Sequence, residues 1–310
     1  MLSGILAALS AGIVWGLVFV TPLILPDYAG IQLSFGRYLA FGLIALLPAW
    51  LDRRQMRLLT RKDWLCAFLL ALVGNLIYYA ALASAIQLAG APLPTLIIGT
   101  LPVVIAICAK LFATEGDHSV AWRHLLLPLG LIAGGLALVN STELAQLHPG
   151  QWHAYWQGGL LACIALAAWT WYPLQNSHYL QQHTHISATT WSTAQGLATL
   201  PLAAVGMLFY VWMQDGSLPI YARLCGPQPL RYVCLMLVLG FFASWLGTLL
   251  WNYASQQLPR GLSGQLIVFE TLAALTYAYC WRQEWPAPAI LLGVVLLVLG
   301  IMTALKRFQS

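Results

Sequence analysis

Residues 78–115 read YYAALASAIQLAGAPLPTLIIGTLPVVIAICAKLFATE, and residues 251–284 read WNYASQQLPRGLSGQLIVFETLAALTYAYCWRQE. Each is a pair of apolar runs joined by a short Gly/Pro turn, and each ends in a Glu. Aligning them takes a gap of about three residues. Earlier in the chain, LSAGIVWGLVF (9–19) is echoed by CIALAAWTWYP (163–173), with Trp15 opposite Trp169. The chain reads as two related halves, 1–150 and 151–310.

Composition sets the solvent. Of 310 residues, 60% are hydrophobic and 7% charged, where a soluble domain carries about 25% charged residues. That composition cannot furnish a polar shell, so the bilayer is the expected surrounding. At about 20 apolar residues per crossing, there is room for roughly ten helices. They are expected near 3–24, 30–51, 63–87, 92–112, 122–140, 155–176, 187–213, 230–257, 261–281 and 286–305. The breaks between them are charged (LDRRQMRLLTRKD, 51–63), polar (NSHYLQQHTH, 176–185) or rich in Gly and Pro (AGAPLP, 89–94).

Five crossings per half is an odd number, so the second half enters the membrane reversed. The expected fold is an all-α membrane protein of ten transmembrane helices in two inverted five-helix repeats. Such repeats mark transporters, with the substrate held between the halves near the midplane. The rival is a membrane scaffold or sensor that duplicated without transporting anything.

With the N-terminus inside, the inner side holds Arg53, Arg54, Arg57, Arg61, Lys62, Lys110, Arg123, Arg260, Lys306 and Arg307. The outer side holds Arg223, Arg231 and Arg282. The bias predicts both termini in the cytoplasm. It also explains the net charge of +5 without nucleic acid. The first apolar run lacks a basic leader and a small-residue cleavage site, so it reads as a retained helix. The six cysteines are scattered without CxxC spacing, which predicts free thiols.

The motifs LSAGIVWGLVFVTP, GRYLAFGLIALLPAWL, GNLIYYAALASAIQLAGAP, IIGTLPVVI and LIVFETLAAL resemble the EamA branch of the drug/metabolite transporter superfamily. The resemblance runs over nearly the whole chain. It implies a ten-helix, two-repeat carrier of the bacterial inner membrane, usually an exporter of small metabolites. Exporters of amino acids, drugs and metallophores all occur in that branch. The first half keeps the family's fourth-helix proline, Pro102, where the second has FETLAAL with Glu270 near the proline's place.

Charge inside a span is costly, about 2.5–3.5 kcal/mol on insertion scales. Two such residues stand out, Arg37 and Glu270. Glu270 is expected near the centre of the ninth helix, with Gln265, Thr271 and Thr276 as nearby hydrogen-bonding groups. It reads as a proton-coupling carboxylate, wetted and dried by a conformational cycle, or as a static lock between helices. Arg37 suits capture of a substrate carboxylate by its planar fork, a salt bridge to Glu270 that opens during the cycle, or snorkelling toward the outer interface.

Trp15, Asn75, Tyr78, Tyr79, Trp169 and Tyr172 complete the candidate substrate site, a ring-lined cavity with a few amides. Trp50, Trp64, Trp152, Trp156, Trp212 and Trp281 lie at span ends and read as interface aromatics. Gly99, Pro102, Gly261 and Gly264 are candidate bend or hinge positions. His178, His183 and His185 have no Cys or carboxylate beside them and read as a solvated loop, not a metal site. Walker, GxSxG and HExxH patterns do not occur, so neither enzyme chemistry, a cofactor nor a metal is expected.

The function expected is a secondary transporter, proton-coupled or facilitative, exporting amino acids or their derivatives. An opine-type metallophore or a drug-like compound is the alternative cargo. The partners are a small-molecule substrate, the lipid bilayer and protons. Because duplication supplies both halves in one chain, a monomer suffices.

Overall fold

The computed structural model describes residues 2–101, 151–214, 216, 219–258 and 266–309. Between 101 and 151 it also describes positions 104, 105, 107, 108, 126, 127, 130, 131, 133–135, 137 and 138. Among these residues every regular element is helical. The first half supplies α1 (Leu2–Trp15), α2 (Leu17–Ile24), α3 (Gly30–Leu51), α4 (Arg53–Met56) and α5 (Arg61–Leu70). A π-helical stretch (Ala71–Ile77), α6 (Tyr78–Ala89) and α7 (Pro92–Gly99) follow. The second half supplies α8 (Trp152–Gln182), α9 (Ala188–Met213), α10 (Ile220–Cys225) and α11 (Pro229–Val238). After a second π-helical stretch (Leu239–Leu246) come α12 (Gly247–Gln257), α13 (Val268–Arg282) and α14 (Pro288–Gln309).

Among the described residues, five helical segments are long and apolar enough to cross a membrane: Leu2–Ile24, Gly30–Leu51, Arg61–Ala89, Ala188–Met213 and Pro229–Gln257. Local chemistry sets their ends. Thr60 and Asp63 form a reciprocal capping box that starts α5, satisfying two orphan donors at once. Gly90 ends α6 at φ 75°, a conformation that glycine adopts without a Cβ clash. Ser187 accepts the Thr190 N–H and starts α9.

Two expectations change. The ninth span was expected as one helix over 261–281. Its continuous helix instead begins at Val268, after a turn at Ile267 whose carbonyl takes the Glu270 N–H at 2.9 Å. Glu270 therefore sits in the first turn of α13, while residues 261–265 of the expected span lie outside the described residues. The sixth span was expected over 155–176, and α8 continues through a polar final turn to Gln182.

The two π stretches were not foreseen. Each lies inside a segment of 29 residues, Arg61–Ala89 and Pro229–Gln257. Each follows ten α-helical residues. A π turn widens the ladder and frees carbonyls for other donors. Side chains of α3 and α9 take them: Ser34 Oγ donates to Leu76 O (3.1 Å), Arg37 Nη2 to Ala243 O (3.1 Å) and Ser192 Oγ to Trp245 O (2.9 Å).

Helix pairings come in matched sets. α1 lies on α12 as α8 lies on α6, α1 meets α13 as α8 meets α7, and α3 pairs with α9. The approach of α1 to α13 depends on Gly12 and Gly16. A Cβ at Gly16 would lie 2.7 Å from Ala273 Cβ, and one at Gly12 would lie 3.0 Å from the Glu270 nitrogen. Small residues four apart let two backbones touch in this way.

Candidate functional site

Glu270 is 1% exposed. The Tyr78 hydroxyl donates to its Oε1 at 3.2 Å, and the Trp169 indole N–H donates to its Oε2 at 3.3 Å. These partners replace the ones expected from neighbouring sequence. Thr276 bonds its own helix at Leu272 O, Thr271 Oγ1 is buried without a partner among the described residues, and Gln265 lies outside them.

The donors come from opposite halves of the chain. Tyr78 is the first residue after the first π stretch, and Trp169 lies in the middle of α8. Their rings stack with centroids 4.4 Å apart, and Tyr172 continues the stack on Trp169 at 5.1 Å. Trp15 meets Trp169 edge-on at 5.1 Å and Trp251 at 5.3 Å. Glu270 and these five rings are all buried. Trp15, Tyr78, Trp169 and Tyr172, read from the sequence as one site, thus meet around Glu270.

Arg37 forms a second cluster. It is 4% exposed, so it does not snorkel. Its Nε donates to Ser244 Oγ at 2.9 Å and its Nη2 to Ala243 O. Its guanidinium carbon lies 4.8 Å from the Tyr38 ring centroid and 4.6 Å from that of Tyr79. Neither hydrogen bond goes to Glu270, so the expected salt bridge is not formed in this conformation. Among the described residues, Nη1 is buried without a hydrogen-bond partner. A buried cation whose hydrogen bonds go to neutral acceptors and whose face lies on rings has a free N–H to offer an anion. Tyr79 belongs to this cluster, not to the one around Glu270.

Asn75 lies in the first π stretch and donates to Thr199 Oγ1 at 3.1 Å. It borders an amide network that sequence reading missed. The Tyr172 hydroxyl donates to Gln195 Oε1, Gln195 Nε2 and Trp191 Nε1 both donate to Asn176 Oδ1, and Asn176 Nδ2 donates to Asn252 Oδ1, each at 2.8 Å. Asn75 is among the amides the sequence assigns to the site, and Asn176, Gln195 and Asn252 carry the same signal as amides in apolar spans.

Of the hinge candidates, Gly99 closes α7, and the Thr100 N–H turns back to Ile97 O at 3.1 Å, breaking the helix there. Pro102, Gly261 and Gly264 lie outside the described residues. Trp50, Trp152, Trp156, Trp212 and Trp281 are exposed, and Trp64 is half-buried. Among the described residues, no three His, Cys, Asp or Glu side chains are grouped to hold a metal.

Both ends of the bundle are closed by bonds joining the two halves. At one end the Tyr28 hydroxyl donates to Cys225 O and accepts the Gln228 N–H, both at 2.8 Å, while its ring stacks on Tyr232 at 4.9 Å. Gln32 Nε2 donates to Leu224 O at 3.1 Å beside it. At the other end Thr190 Oγ1 donates to Asp52 Oδ2 at 2.8 Å, and the Tyr179 hydroxyl donates to Asp63 Oδ1.

The sequence pattern of the EamA-like transporter family matches residues 2–141 and again 156–305. The chain is 46% identical over 307 residues to "Inner membrane protein YtfF" of Escherichia coli (strain K12), covering 99% of this chain and 96% of that protein. A solved structure known only as "Crystal structure of protein" superposes with a TM-score of 0.66 and 16% identity. The superposition covers 97% of both chains. That likeness shows a shared fold.

Proposed function

Because this chain belongs to the EamA-like transporter family, we propose that it is a secondary transporter of small zwitterionic or anionic metabolites, working by alternating access between two inverted five-helix repeats. Amino acids and their derivatives are the first cargo class, and an opine-type metallophore or drug-like compound the alternative. The two matched segments, 2–141 and 156–305, support the repeat at 1–150 and 151–310. So do the matched helix pairings and the paired π stretches. The inner-membrane relative supports placement in a bacterial inner membrane. The Lys/Arg bias supports cytoplasmic termini, and export as the working direction rests on the family resemblance.

One observation carries the reading. A carboxylate buried to 1% exposure sits between hydrogen-bond donors from both halves. Any motion of one half against the other must break at least one of these bonds and change what surrounds Glu270. Coupling then follows: Glu270 takes a proton on one side and releases it on the other, while Arg37 Nη1 receives a substrate carboxylate. Tyr78, Trp169, Tyr172 and Trp15 wall the apolar part of the cargo. Gly99 and Pro102 in one half, and Gly261 and Gly264 in the other, serve as bends.

The test is uptake of a labelled amino-acid mixture into proteoliposomes, with and without a pH gradient. Wild type responds to the gradient, and Glu270→Gln loses that response. Equal gradient-driven rates in the two proteins leave Glu270 as a static helix lock. Absence of uptake by the wild type favours the scaffold or sensor reading.

A further inference from the structure

The amide network next to the Glu270 cluster has a direction, and the direction leaves a donor over. An indole N–H can only donate. Trp191 Nε1 lies 2.8 Å from an Asn176 side-chain atom, so that atom is the oxygen. Gln195 donates to the same oxygen, and its own oxygen takes the Tyr172 hydroxyl. With its oxygen so engaged, Asn176 presents its NH2 to Asn252. Asn252 must answer with its oxygen. Its own NH2 faces away from the network, and no flip of either amide relieves this, because the chain of assignments starts from an indole.

Among the described residues, Asn252 Nδ2 is buried without a hydrogen-bond partner, and so are Trp251 Nε1 and Ser255 Oγ. These three lie within five residues on α12, and Ser255, one turn beyond, neighbours each of the other two on the helix surface. All three residues are 1% exposed or less. The Trp251 ring touches the Glu270 cluster, since it packs on Trp15. Ser255 lies about 6 Å farther along the axis, toward the end of the bundle where Gly4 packs on Gln257 and Leu258. Two obligate donors and a hydroxyl in one buried turn are uncommon, because unmatched buried donors are strongly selected against. Apolar cargo or lipid cannot satisfy them. A carboxylate can, because it offers acceptor oxygens only.

We propose that Trp251, Asn252 and Ser255 form an access subsite for the carboxylate of the substrate. It lies between the N-terminal end of the bundle and the Glu270–Arg37 region. The cargo's carboxylate rests on these donors while the Glu270 cluster is closed, then moves on to Arg37 when the rings part. The inference rests on the transporter reading above and adds a second binding position, with the residues that recognise the acid group there.

Asn252→Asp isolates the free donor. It keeps the shape and keeps an oxygen for Asn176, and it replaces the unpaired NH2 with an oxygen that accepts hydrogen bonds and, when ionised, repels a carboxylate. Proteoliposome uptake is measured with labelled phenylalanine, leucine and glutamine, and with phenethylamine as a probe lacking the carboxylate. The expected result is a KM for the amino acids raised about tenfold in Asn252→Asp, little change in maximal rate, and phenethylamine uptake unchanged or increased. Trp251→Phe removes a second donor while leaving a ring against Trp15, and raises KM in the same direction. Melting temperatures of both purified variants report folding separately. Amino-acid KM values at the wild-type level in both variants overturn the subsite and leave transport standing. If wild type takes up none of the three amino acids, the transporter reading for this cargo fails, and the subsite with it.

Discussion

Tyr78 and Trp169 lie face to face, ring centroids 4.4 Å apart, and each donates a hydrogen bond to a different oxygen of the same buried carboxylate. The stack and the two bonds are separable by mutation. Tyr78→Phe keeps the stack and removes one donor to a carboxylate, a loss of about 1.5–3 kcal/mol if Glu270 is charged. Trp169→Ala removes the other donor and both stacking partners' support, costing about 3–5 kcal/mol as a core truncation. Thermal unfolding in detergent is expected to rank wild type above Tyr78→Phe, and that above Trp169→Ala. Equal stability of wild type and Tyr78→Phe would mean that the Tyr78–Glu270 bond contributes nothing.

Gly12 and Gly16 predict a graded penalty. An alanine at Gly16 brings its Cβ within 2.7 Å of Ala273 Cβ, with α13 backbone at 3.0 Å behind it. At Gly12 the nearest atom is the Glu270 nitrogen, at 3.0 Å. Overpacking of this kind costs about 1–3 kcal/mol. Gly16→Ala is expected to lower the melting temperature more than Gly12→Ala. Gly12→Ala is expected to lower uptake more than its stability loss accounts for, since it displaces the turn that carries Glu270. An uptake rate that simply follows stability would separate the glycine from the site.

Arg37 offers a test of geometry against charge. Its Nε and Nη2 reach Ser244 Oγ and Ala243 O together, within one π turn of the neighbouring segment. A lysine keeps the charge but has a single ammonium in place of the planar fork. Arg37→Lys is therefore expected to cut uptake about tenfold or more at unchanged expression. Arg37→Lys working at the wild-type rate would show that a positive charge alone suffices.

The spans were legible because a bilayer crossing leaves a long apolar run, and Gly90 and the Thr60–Asp63 box mark their own boundaries. Glu270 and Arg37 were legible because charge is rare in such runs. The π stretches were not. Ala71–Ile77 and Leu239–Leu246 contain ordinary helix-forming residues, and the donors that take their carbonyls stand far away in sequence, on α3 and α9. The break at Ile267 also has no local marker, as LIVFE contains no glycine or proline. Gly12 and Gly16 were visible at a spacing of four but were passed over in favour of glycines nearer prolines. Partners far apart in sequence, such as Tyr78 with Glu270, depend on how the halves meet and leave no local trace.

Tyr28 closes one end of the bundle with two hydrogen bonds through one oxygen, and Tyr28→Phe deletes both while keeping the ring on Tyr232. Two neutral bonds are worth about 1–3 kcal/mol together, enough to shift a closed–open balance by about 5- to 150-fold. Its readout is maleimide labelling of Cys225, whose carbonyl Tyr28 holds, in a protein with the other five of its six cysteines replaced by alanine. Labelling is expected to quicken several-fold in Tyr28→Phe. Tyr179→Phe, which loosens Asp63 at the opposite end, is expected to leave Cys225 labelling unchanged or slower, because opening one end of an alternating carrier favours closure of the other. If Tyr28→Phe labels at the wild-type rate, these bonds do not hold that end shut. If Tyr179→Phe speeds labelling as well, the two ends open together, and the closures are not alternating gates.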